Sequence, residues 1–187
     1  MIYPEIFKYN SLISVPLFSI IAFLLIKKKS NFSFSQHTVS KTIFFLKNRT
    51  HRIIFRFNFL LKALLDLGFV WYVIFYFKIS YESPVFWSLI LSSILFGSLS
   101  YFFEGKYPII HKIIVYSSGV FWAFSQIYLS FLTKDVIFIQ LTSIMTAVVM
   151  ILTFGFMFAK KTNVFVQALC MLILYSWLVI FIFKYLF

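Results

Sequence analysis

Residues 57–77 read FNFLLKALLDLGFVWYVIFYF. At about 1.5 Å per residue, a helix over this stretch is roughly 30 Å long, the thickness of a bilayer's hydrocarbon core. The run is apolar almost throughout, yet it carries Lys62 and Asp66 in its middle. Those two features, a membrane-length run and an acid inside it, set both the fold and the functional question.

Five other runs have the same character: 9–26, 85–103, 113–132, 136–159 and 164–187. The chain is 62% hydrophobic and only 12% charged, where a soluble domain stands nearer half and a quarter. Such a chain lacks the polar residues to clothe a water-facing surface. The expected fold is all-α: one polytopic membrane domain over 1–187, a bundle of six transmembrane helices. No Gly/Ser/Pro-rich linker divides it. The first run is preceded by Glu5 and Lys8 and followed by Lys27, Lys28 and Lys29, the reverse of a signal peptide's charge order, so it reads as a retained helix. Pro16 lies inside this run and is expected to kink the helix or mark its start.

The net charge of +12 is unevenly placed. Lys27, Lys28, Lys29, Lys41, Lys47, Arg49, Arg52 and Arg56 fall between runs one and two, Lys106 and Lys112 between three and four, and Lys160 and Lys161 between five and six. The alternate gaps and ends hold only Lys8, Lys78, Lys134 and Lys184. Short basic loops stay in the cytoplasm, so both termini are expected on the non-cytoplasmic side. The long basic segment from Lys27 to Arg56 places Val39, Ile43 and Leu46 at helical spacing over 36–46. That pattern predicts a short interfacial helix, and its basic flanks would meet anionic lipids of the bilayer.

Asp66 is the only acid inside any run. Counted from Phe57 it lies roughly 14 Å deep, where an ionised carboxylate is expensive. Lys62, four residues earlier, and Asn58, four before that, share its helical face. This face must look into the bundle or a wet cavity. It is either a structural ion pair fixing how the helix packs or the mark of a ligand, ion or proton pathway. Glu104 and His111 flank the turn between runs three and four and form a second candidate cluster on the cytoplasmic side, as a loop clasp, a headgroup site or a proton shuttle. Gln126 and Gln140 lie on either side of the turn between runs four and five and are placed to face each other.

Other chemistries find no support. His37, His51 and His111 have no metal-ligand spacing, and Cys170, the lone cysteine, excludes an intrachain disulfide or a cysteine-based metal cluster. Phosphate-binding, dinucleotide and hydrolase motifs are absent from the sequence. No cofactor is expected, and nucleic acid is not, because the basic residues cluster at membrane edges.

The order of the motifs Phe34-Ser-Gln-His-Thr-Val-Ser40-Lys41, Phe57-Asn58 and Tyr107-Pro-Ile-Ile-His111-Lys112 resembles that of uncharacterised six-helix membrane proteins of bacteria and archaea, themselves distantly similar to the Frag/DRAM group of eukaryotic endomembrane proteins. The resemblance implies a six-helix fold and a connection with lipid, and it implies no activity. From the residues, the expected function is binding or transport of a small molecule or lipid at Asn58, Lys62 and Asp66. The alternatives are a structural or assembly subunit, with a membrane-protein partner or a second copy, and an intramembrane lipid-modifying enzyme using Asp66, Glu104 and His111.

Overall fold

The computed structural model describes residues 5–27, 32–159 and 161–186. Lys28, Lys29, Lys160 and Phe187 lie outside the described residues. Among the described residues seven α-helices follow one another: α1 (Asn10–Lys27), α2 (Thr42–Phe45), α3 (Arg49–Tyr76), α4 (Pro84–Ser98), α5 (Pro108–Leu132), α6 (Val136–Phe158) and α7 (Val164–Tyr185). Short 3₁₀ turns, Glu5–Tyr9 and Val39–Lys41, lead into α1 and α2. No strand occurs among the described residues. The segments containing α1, α3, α5, α6 and α7 are long and apolar enough to cross a membrane. The chain is therefore an integral, multi-pass membrane protein.

Helix boundaries follow local chemistry. The Asn48 side chain caps α3 by accepting from the Thr50 N–H at 2.7 Å. Asp135 caps α6 from Phe138 at 3.1 Å, and Asn163 caps α7 from Val166 at 3.1 Å. Each satisfies a backbone donor that the first helical turn leaves free. Pro84 and Pro108 open α4 and α5, where a missing N–H costs nothing. Lys78 and Lys134 adopt left-handed backbone (φ 53° and 57°) just beyond α3 and α5, the conformation that ends a helix sharply.

Four elements differ from expectation. α5 begins at Pro108 rather than Ile113, because Pro108 suits a first helical position, and Lys112 therefore stands on the helix. α3 begins at Arg49 rather than Phe57, because Asn48 supplies a cap. Arg49, Arg52 and Arg56 thereby stand on helix rather than loop. α4 ends at Ser98 instead of continuing to Phe103. Gly97 and the serines after it are weak helix formers, and Ser98 Oγ turns back to the Leu95 carbonyl at 2.7 Å. The stretch 36–46 is a 3₁₀ turn followed by one turn of α-helix, not a continuous amphipathic helix. Its apolar residues Ile43 and Leu46 are buried in a core with Phe18, Phe55, Phe59 and Leu99.

The helices form a ring. α1 packs on α3, α3 on α4, α4 on α5, α5 on α6, α6 on α7, and α7 returns to α1. Short turns make successive neighbours from α3 to α7 antiparallel. One end of the bundle carries the basic residues at the starts of α3 and α5. The other end is closed by an aromatic core. Trp177 and Phe181 stack at 4.9 Å, Phe138 stacks on both, and Phe69, Val73, Leu89 and Leu129 complete the seal. Trp177 Nε1 donates to Thr142 Oγ1 at 2.8 Å, so burial leaves its polar edge satisfied.

Pro16 stays inside α1. Its absent N–H orphans the Leu12 carbonyl one turn earlier, and the Tyr175 hydroxyl of α7 donates to that carbonyl at 3.3 Å. The defect in α1 thus becomes a contact that closes the ring.

At the aromatic end, Asp135 accepts from Lys184 Nζ at 2.8 Å and from the Tyr185 hydroxyl at 2.7 Å. The Lys184 hydrogen bond, with help from Tyr185 and the Phe138 N–H, holds the Asp135 carboxyl far below the usual carboxylate range. A carboxyl depressed in the folded state stabilises above its unfolded pKa, and the benefit is lost as pH falls towards the folded value. Melting of the detergent-solubilised protein should therefore shift downward below about pH 4, and Asp135→Asn should lower stability at pH 7 and flatten that dependence.

Candidate functional site

Asn58, Lys62 and Asp66 occupy successive turns of one α3 face, and all three are buried. Lys62 and Asp66 are brought together, and Asn58 makes its hydrogen bond apart from them. Asn58 Nδ2 donates to the Phe18 carbonyl of α1 at 2.9 Å. Lys62 Nζ pairs with Asp66 Oδ2 and also sits over the Phe96 ring of α4, 4.8 Å from its centroid. Lys62 therefore turns towards Asp66 and away from the basic end. The remaining oxygen, Asp66 Oδ1, accepts from Ser11 Oγ at 2.9 Å and Ser14 Oγ at 2.5 Å. These serines lie one turn apart on the first part of α1, so one face of α1 presents two donors to a single carboxylate oxygen.

This arrangement solves the cost of a buried charge. Ion pairing and two hydroxyl donors replace the water that the carboxylate lost. Close approach of the chain segments is helped by Gly68, two residues beyond Asp66. A Cβ there would strike the Asn10 side chain.

Lys62 and Asp66 line a cavity of about 310 Å³ at the centre of the ring, at the small end of ligand-binding cavities. Ser92 and Ser93 of α4, Ser118 of α5 and Tyr175 of α7 add polar groups to an otherwise mainly apolar wall. The cavity reaches the basic end, where Val39, Ser40 and Thr162 line it. Residues 32–45 cross this end as a strap. On one side Val39 N–H donates to Gln167 Oε1 at 2.8 Å, Val164 N–H to the His37 carbonyl at 2.9 Å, and Asn163 Nδ2 to the Ser35 carbonyl at 3.0 Å. On the other, Thr38 Oγ1 donates to Glu104 Oε2 at 2.5 Å and Lys41 pairs with Glu104 Oε1 at 3.7 Å.

Glu104 therefore serves the strap. His111 does not hydrogen-bond to it; its Nδ1–H donates to the Phe102 carbonyl at 2.7 Å, bracing the turn between α4 and α5. Gln126 and Gln140 do not meet either: Gln126 is buried and Gln140 is exposed. No group of three or more His, Cys, Asp or Glu among the described residues is placed to hold a metal ion. Sequence reasoning missed Ser11 and Ser14. Their three-residue spacing places them on one face of α1, but nothing in the chain's order points that face at Asp66. It also missed the strap contacts of Thr38 and Gln167.

No family model, curated protein or solved structure matches the chain. The likeness to the Frag/DRAM group accordingly rests on its short motifs alone.

Asp66→Asn should leave the Lys62 ammonium buried without a counter-charge, costing about 3–5 kcal/mol, seen as a sharp loss of folded yield and melting temperature in detergent. Adding Lys62→Met should restore most of both, because the amide oxygen that replaces the carboxylate can still accept from Ser11 and Ser14. A single variant as stable as the parent would show that the pair does not hold α1 and α3 together.

Proposed function

We propose that the protein crosses the membrane six times, with its basic end in the cytoplasm and both termini outside, and that it binds a small, net-uncharged, mostly apolar molecule in the central cavity. One observation carries the binding reading: a ring of helices that leaves ligand-sized space at its centre, where an assembly subunit would gain by packing solid. The ion pair in the wall neutralises itself, so the cavity offers no net charge to attract an ion. The apolar wall favours an apolar body, and the hydroxyls of Ser92, Ser93 and Ser118 suit a neutral polar group. The aromatic seal at one end favours binding over an open pore. Short α4 completes its crossing through the turns that follow it, where Leu99, Ser100 and Tyr101 N–H groups continue hydrogen bonding to Phe96, Gly97 and Ser98. Arg49, Arg52 and Arg56, on the first turns of α3, stand at the headgroup level in this orientation and suit anionic lipid.

Gly119 lines the cavity and a Cβ added there would meet no atom within 4 Å, so a large side chain there is the substitution chosen to occupy that space. Native mass spectrometry from mild detergent should find a small neutral molecule retained by the parent and lost in Gly119→Phe. Gly155→Phe, at an exposed position also facing open space, should retain it. Equal retention in both variants would overturn cavity binding. A reporter fused to the C-terminus should report a non-cytoplasmic location, and a cytoplasmic signal would reverse the orientation.

A further inference from the structure

Both oxygens of Asp66 already have partners: Ser11 and Ser14 donate to one and Lys62 to the other. A ligand's polar group gains little by joining a set of donors and acceptors that satisfy one another. Fully buried polar atoms with no partner at all lie elsewhere. A side pocket of about 60 Å³ between α5 and α6 shares Tyr116, Gly119 and Trp122 with the central cavity. Gln126 and Thr146 line it, only 2% and 6% exposed. Gln126 Oε1 and Thr146 Oγ1 are fully buried and have no hydrogen-bond partner. Polar atoms in that position forfeit hydration without replacement, and native proteins almost always provide one.

We propose that this α5–α6 pocket is the polar subsite of the cavity and takes the hydroxyl of an alcohol-type amphiphile, whose O–H donates to Gln126 Oε1 and whose oxygen accepts from Thr146 Oγ1. The inference rests on the binding reading above and specifies its ligand class. No charged side chain lines the side pocket, so a charged headgroup there would lack a counter-ion. The space is small and uncharged, which suits a hydroxyl. Trp122, Val149 and Leu174 line both spaces and offer the ligand's chain a continuous apolar wall.

Trp122 is a reporter placed at this junction. In a Trp71→Phe/Trp87→Phe background, which removes the two exposed tryptophans, quenching by 10-bromodecan-1-ol and 1-bromodecane is measured in nanodiscs, each counted as its concentration within the disc. The alcohol should quench at about tenfold lower concentration than the alkane. Gln126→Leu with Thr146→Val should make the two equal, and Gln126→Met alone should close part of the gap, with melting curves confirming folded protein. Gly119→Phe should abolish quenching by both. Equal quenching in the parent background would overturn the hydroxyl subsite and leave cavity binding intact, with water filling the side pocket. Absence of quenching by either probe, or quenching unchanged by Gly119→Phe, would overturn cavity binding and this subsite with it.

Discussion

A carboxylate in the middle of a membrane helix has to be met by other groups of the protein, and Asp66 is met by α1. Ser11 and Ser14 can reach Oδ1 only if the first part of α1 lies directly against the middle of α3, and Lys62 takes the other oxygen from within α3. Because lipid tails are as apolar as Leu or Phe, apolar side chains alone do not choose between one helix pairing and another. Polar contacts do. Asn58 to the Phe18 carbonyl repeats the instruction two turns away, so the α1–α3 seam is fixed in both rotation and register.

The ring grows from that seam. α3, α4 and α5 follow through short turns and pack in sequence, while the aromatic stack around Trp177 and Phe181 binds the ends of α6 and α7 to α3 and α5. Closure falls to the α7–α1 contact, where Tyr175 takes the carbonyl that Pro16 leaves free. The cavity is a consequence of this order of contacts. Tight packing is concentrated in two clusters, one at the aromatic end and one around Phe18, Phe55 and Phe59. The central space lies between them, lined by serines and by helix faces that carry small residues such as Gly119.

Hydrophobicity made the helices legible from sequence, and helix chemistry set their limits. The run at 136–159 matches α6 almost to the residue because Asp135 marks its start unmistakably. The start of α3 was hidden because arginines on a helix look like a basic loop when only charge is counted. α4 was overextended because Leu99, Phe102 and Phe103 keep the run apolar after Gly97 and Ser98 have ended the helix. The Lys62–Asp66 pair was readable because its partners sit four residues apart on one helix. Asp66's other partners, Ser11 and Ser14, lie on a different helix, and the unsatisfied oxygens of Gln126 and Thr146 depend on how α5 and α6 pack. Neither has a signature along a single chain.

The strap across the basic end has a bearing on how the protein is made. Residues 32–45 leave the ribosome before α3, yet their seat is the start of α7: Gln167, Val164 and Asn163 hold Val39, His37 and Ser35. Synthesis runs from the N-terminus, so the strap must wait, with Ser35, His37 and Val39 unfastened on that side, until the last helix has been inserted. Completion of the cavity's floor is thus a late, post-insertion event, and the same few polar contacts that finish the fold testify that the whole chain has arrived.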